Sequence, residues 1–146
     1  MYNKILIPLD LEHIEMFKRA IAVAEQLFGE AGGEIHSLYV DQTRIHGTSF
    51  TQLSSEVARH ARKEALRHAS HIFQKFVPVH LRGDCRIANG VVYDEILEEE
   101  ARIRPDLILI AAGKPGVSSY LLGSNAEKVL RHARGSVFVL RDEERW

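Results

Sequence analysis

The chain has 146 residues, 45% of them hydrophobic and 27% charged, a balance that suits one folded unit of domain size and excludes an intrinsically disordered tail. A formal net charge of −1 supplies no overall basic field, so composition argues against nucleic acid or an acidic membrane as ligand. Cys85, the only cysteine, has no partner for an internal disulfide, which points to a reducing, cytoplasmic setting.

Lys4 to Leu9, KILIPL, is a short unbroken apolar run ending at Asp10. It reads as a strand buried on both faces, and is too short for a signal segment or a membrane span, so no direct membrane insertion is expected. Ile14, Phe17, Ile21, Ala24 and Phe28 recur at helical spacing, and Gly29, Gly32 and Gly33 end that helix. Glu34 to Val40 reads as a second strand, stopping at Asp41, and Gln42 to about Phe50 as a loop. A long helix follows from Leu53 to Phe76, terminated by Pro78. A third strand is expected over Val79 to Ile87, then a turn at Asn89-Gly90 and a short helix over Val91 to Arg102. Pro105 separates that helix from a buried strand, Leu107 to Ala111. A glycine-punctuated loop, a helix opening at Gly123-Ser124 and a last strand to Arg141 complete the chain.

Strands alternating with helices imply an α/β fold: a doubly wound five-stranded parallel sheet, order 3-2-1-4-5, with helices on both faces and residues 1–146 in one domain. In that order the switch point lies between the first and fourth strands, where ligands bind at the carboxyl ends. Two informative stretches end there, Leu9-Asp10 and the loop from Gly113.

A helix beginning Gly123-Ser124 directs free amides and a partial positive charge outward, an arrangement suited to phosphate. Gly113, Gly116 and Gly123 permit close approach of backbone to a ligand; Gly113 and Gly116 equally suit a turn around Pro115. Ser124 with Glu127 also fits a capping box, and Glu127 would oppose a phosphate unless a divalent cation or a base such as Lys114 balanced it. Asp10 suits either ribose hydroxyls or a metal ion, or a cap for the following helix. His60, Glu64, His68 and His71 share spacing compatible with a metal, but Arg59, Arg62, Lys63 and Arg67 crowd the same helix and favour a solvated face. Cys85 on an apolar strand reads as a core residue.

No Walker A motif, G-x-G-x-x-G after the first strand or G-x-S-x-G elbow occurs, and the acidic cluster of a phosphoacceptor receiver is missing. ILIPLD at Ile5 to Asp10, LYVD at Leu38 to Asp41, Asn89-Gly90, DLILIAAGKPG at Asp106 to Gly116 and YLLGSNAEKVLRHARGSVFVLR at Tyr120 to Arg141 together resemble the universal stress protein family. ATP-binding members carry G-x2-G-x9-G-[ST]; here Gly113, Gly116, Gly123 and Ser124 follow that order, with six residues between Gly116 and Gly123. The shortening resembles a branch of the family that retains ATP.

The resemblance implies a cytoplasmic adenine-nucleotide-binding stress-response protein holding ATP, with or without Mg2+, and hydrolysing it slowly if at all. An interaction module that has lost its nucleotide is the alternative. An ATP-using enzyme would need a phosphate-loop SGGxDS or an HIGH motif, and the chain has neither. By the same resemblance Pro8, Leu9 and Asp10 line the adenosine, the Val40 backbone contacts adenine, and Gly90 lies near the pocket. Gly113 and Gly116 approach ribose or phosphates, Gly123, Ser124 and Asn125 bind phosphate, and Ser136 with Val137 closes the pocket. It further implies a homodimer through antiparallel pairing of the last strands, Ser136 to Leu140, with higher oligomers open.

Overall fold

The computed structural model describes residues 2–42, 55–112 and 124–142. In chain order they form β1 (Lys4–Pro8), α1 (Ile14–Phe28), β2 (Glu34–Asp41), α2 (Ser55–Phe76), β3 (Arg82–Asn89), α3 (Val92–Ile103), β4 (Leu107–Ala112), α4 (Ser124–His132) and β5 (Ser136–Arg141). The strands make one parallel sheet in the order β3-β2-β1-β4-β5, as the alternation of elements implies.

The unbroken apolar runs are the central strands: Ile5, Leu6 and Ile7 of β1 and every residue of β4 are buried. Helices α1 and α2 cover one face through Phe17, Ile21, Ala24, Ala69, Ile72 and Phe73. On the other face, α3 and α4 bury Val92, Ile96, Ala126 and Val129 against Leu6, Val40, Ile108 and Ile110. Each fully buried Leu, Ile or Phe contributes about 1.5–3 kcal/mol relative to exposure.

Helix α1 adds Met16 and Ala20 to its expected apolar face, and it ends where Gly29 takes φ 64° with its N–H bonded to the carbonyl of Glu25. A left-handed residue is what such a helix end requires, and glycine adopts it without Cβ strain.

The third strand begins later than its apolar character suggests. Val79–Leu81 form a single 3-10 turn, with Leu81 N–H bonded to Pro78 O at 2.9 Å, and β3 runs on to Asn89. Arg82 explains the boundary, because its guanidinium caps the end of α2, donating from Nε to Val77 O at 2.9 Å and from Nη2 to Gln74 O. Between Ile35 and Ser37 the β2–β3 register shifts, leaving an extra residue on β3. The ring of His36 fills the bulge: Nδ1 accepts the Asp84 N–H at 3.1 Å and Nε2 donates to Glu34 at 2.9 Å.

Candidate functional site

The order of strands puts the switch point between β1 and β4, and the carboxyl end of β1 delivers Asp10 there. Asp10 is 5% exposed. Its Oδ1 accepts the Glu12 N–H at 3.0 Å, its Oδ2 lies 3.0 Å from Nδ1 of His13, and its main-chain oxygen accepts the His13 N–H at 3.1 Å. A carboxylate is only an acceptor, so His13 carries its proton on Nδ1. The sequence left Asp10 between helix cap and ligand group. It does organise the turn into α1.

Pro8 and Leu9 are buried; the Leu9 side chain packs in the core on the α1 side, and its N–H bonds to Leu38 O at 2.9 Å. Next to them β2 ends in Val40 and Asp41, both buried, and Val40 lies in the core on the α3–α4 side. The Tyr39 phenol is pushed above its ordinary range, first by burial and then by the charges of Asp41, Asp10 and Glu12. The carboxyl ends of β1 and β2 thus concentrate acceptor oxygens.

Gly90 sits beside them, its N–H bonded to Asp41 O at 3.3 Å. Its φ is 151°, and a Cβ there would come 2.5 Å from Oε1 of Glu95, so the turn into α3 has room for glycine alone. The neighbouring Asn89 has a buried Oδ1 with no hydrogen-bond partner, one register step across from Asp41. The sequence marked Asn89 as a turn residue and as part of a motif carrying the family resemblance, and did not single out His13. Spacing of three from Asp10 was the available signal for His13, whereas nothing in the sequence marks the orphaned oxygen of Asn89.

Ser124, exposed, opens α4, with Asn125 half-buried after it. Glu127, whose charge would oppose an anion at this helix start, accepts from Arg131 Nη2 at 3.1 Å one turn onward. Gly113, Lys114, Gly116 and Gly123 lie outside the described residues.

Ser136 and Val137 are not brought to this end of the sheet. The register pairs them with Leu107 and Ile108 of β4, which in turn face Ile5 and Leu6 of β1. Five residues of strand, about 16 Å, separate that level from Asp10. A parallel sheet carries its ligands at the opposite ends of the strands, so the role in closing the pocket does not hold for these two residues.

No helix among the described residues is long and apolar enough to cross a membrane. Nor do the described residues include a group of three or more His, Cys, Asp or Glu side chains able to hold a metal. Glu64 is instead paired with Arg67 at 2.6 Å. Cys85 packs against the core, where burial pushes its thiol up to about 11, a hydrogen bond with Ser70 partly opposing.

A family model described as the universal stress protein family matches residues 1–141. Universal stress protein G of Shigella flexneri is 31% identical over 147 residues, covering 97% of this chain and 100% of its own. Among solved structures, the protein MJ0577 superposes with a TM-score of 0.76 at 23% identity, covering 99% of each chain. An Arabidopsis thaliana universal stress protein family protein with AMP bound gives 0.64 at 19% identity, covering 97% of this chain and 93% of its own. A universal stress protein in complex with cAMP gives 0.60 at 17%, covering 96% and 97%. At these identities the structures speak to the fold; the family model and the bacterial relative, spanning nearly the whole length, establish the family. This chain is a member of the universal stress protein family.

Proposed function

We propose that the protein is a cytoplasmic adenine-nucleotide-binding regulator that holds ATP at the switch point, with slow hydrolysis at most. The observation that carries this reading is the acceptor-rich end of β1 and β2. Asp10 presents a buried carboxylate bonded to the Glu12 amide and to His13, and β3, next to β2, ends at Asn89, whose buried Oδ1 has no hydrogen-bond partner. Acceptors of this kind suit sugar hydroxyls and an amino group, and suit phosphate poorly. The phosphates belong instead at the start of α4, on the amides of Gly123, Ser124 and Asn125, with Gly113 and Gly116 allowing close approach. The main chain of Pro8, Leu9 and Val40, with Gly90, would border the adenosine. The AMP and cAMP complexes of proteins sharing this fold support an adenylate over another anion. A Mg2+ ion, where present, would ride on the phosphates.

The homodimer belongs to the same proposal. β5 is an edge strand of the sheet, and Phe138 on it is 39% exposed, so antiparallel pairing of Ser136 to Leu140 would cover both.

Mass spectrometry of nucleotide released from freshly purified protein, followed by calorimetry with ATP, tests the nucleotide site. Adenylate should be recovered, and Gly123→Val should abolish ATP binding by placing a side chain where phosphate sits. Recovery of none, with no heat on adding ATP, would leave the interaction module as the function.

A further inference from the structure

The solvent side of α2 carries a slanting row of basic side chains. Arg59, Lys63, Arg67, His71 and Lys75 follow at intervals of four, and all five are exposed. The row rises about 24 Å along the helix while winding about 160° round it, so that its middle members, Lys63, Arg67 and His71, lie opposite the buried Ala69, Ile72 and Phe73. The helix carries five Lys or Arg against two Glu. Like charges one turn apart weaken a helix, so the row is not explained by the stability of α2. Arg67 is paired with Glu64, and Lys75 lies 5.3 Å from the ring centre of Phe76. Arg59 and Lys63 have no ion-pair partner among the described residues.

The opposite face of the sheet has the complementary charge. Helix α3 carries five acidic residues against one arginine. Two of these acids are used internally: Glu99 accepts from Arg86 and Arg102, and Glu100 from the amides of Arg134 and Gly135. The other three, Asp94, Glu95 and Glu98, line a groove of about 410 Å³ along α3 and the end of α4, with Val91 and Leu97 in its wall and His132 and Arg134 also lining it. The Glu95 carboxyl is pushed above its ordinary range by burial and then by the charges of Glu98 and Asp94.

We propose that the basic row of α2 docks into the acidic α3–α4 groove of a second copy of this chain. Charge complementarity favours this occupant. A nucleic acid or an anionic bilayer would use the row of α2 alone and leave the acids of α3 unpaired, whereas a second copy engages both. A second copy offers an acidic surface without a net field of its own, and one contact relieves the like-charge repulsion on both sides. Because row and groove lie on opposite faces of the sheet, the contact is heterologous and leaves each end able to add another copy. It differs from pairing through β5 and does not rest on nucleotide binding.

Sedimentation velocity of the full chain, over a range of protein and salt concentrations, tests the proposal. Species larger than a dimer should grow with protein concentration and weaken about tenfold or more as salt rises from roughly 50 to 500 mM, because exposed ion pairs are screened. Arg59→Glu with Lys63→Glu, and separately Asp94→Lys with Glu98→Lys, change exposed side chains, so folding can be verified by circular dichroism. Each double variant alone should lose the larger species, and mixing the two should restore them. Absence of such species in the wild type, insensitivity to salt or to either double variant, or no recovery on mixing would overturn it. So would a wild-type chain that stays dimeric yet binds single-stranded DNA or phosphatidylserine vesicles through Arg59 and Lys63, since the row would then serve a different partner.

Discussion

Oδ2 of Asp10 lies 3.0 Å from Nδ1 of His13, so the carboxylate that closes β1 is held by the residue that begins α1. Replacing Asp10 with Ala would leave the Glu12 amide and His13 Nδ1 without this acceptor. The expected cost is about 1–3 kcal/mol, read as a lower urea midpoint. The same variant should weaken adenosine as well as ATP in calorimetry; a loss confined to ATP would remove the ribose role from Asp10.

Glu100 is 5% exposed and holds the turn between α4 and β5, accepting from Arg134 N at 2.9 Å and Gly135 N at 2.7 Å. Glu100→Ala takes this charged acceptor away from both amides. A destabilisation of roughly 1–3 kcal/mol is expected, and hydrogen exchange should rise first in β5. Uniform exchange across the sheet would show that Glu100 does not secure this edge in particular.

Asp106 accepts the amides of Asn3 at 2.7 Å and Lys4 at 2.9 Å, tying β4 to β1 across the middle of the sheet. Those backbone bonds, opposed by desolvation, hold its carboxyl below the usual aspartate range. A depressed folded value means the contribution is fully present above the unfolded value near 3.9 and fades as pH falls through the folded one. Unfolding measured from pH 6 down to 2.5 should therefore show a smaller acid-dependent loss in Asp106→Asn than in the wild type. Equal pH dependence would assign the acid sensitivity elsewhere.

Cys85 gives a chemical readout of the same core. With its thiol near 11, little thiolate is present at pH 8, and a disulfide reagent should label this half-buried group slowly in the folded protein. Labelling should accelerate steeply in urea; fast labelling of the folded chain would contradict its place against the core.

Topology was readable because each element carries its own signal. Unbroken apolar KILIPL and DLILIA mark strands buried on both sides, and apolar residues three and four apart mark α1. The start of β3 was misplaced because Val79 and Leu81 are as apolar as strand residues. What decides that boundary is Arg82, which reaches back to carbonyls of Gln74 and Val77. Ser136 and Val137 were assigned to the wrong end of the sheet for a related reason: a motif shows that residues are near in sequence, whereas register shows the level at which they stand.

Local periodicity and turn chemistry therefore determined the elements and their order along the chain, and the resemblance of short motifs pointed to the family, because these depend on neighbours a few positions apart. Only the folded chain decided which groups share a site. The pairing of β1 with β2 and of β2 with β3 brings the carboxyl ends that carry Asp10, Asp41 and Asn89 to one edge of the sheet. Likewise α2 and α3 acquire opposite charges on opposite faces only once the sheet lies between them. Such contacts join residues tens of positions apart, and no local pattern in the chain encodes them.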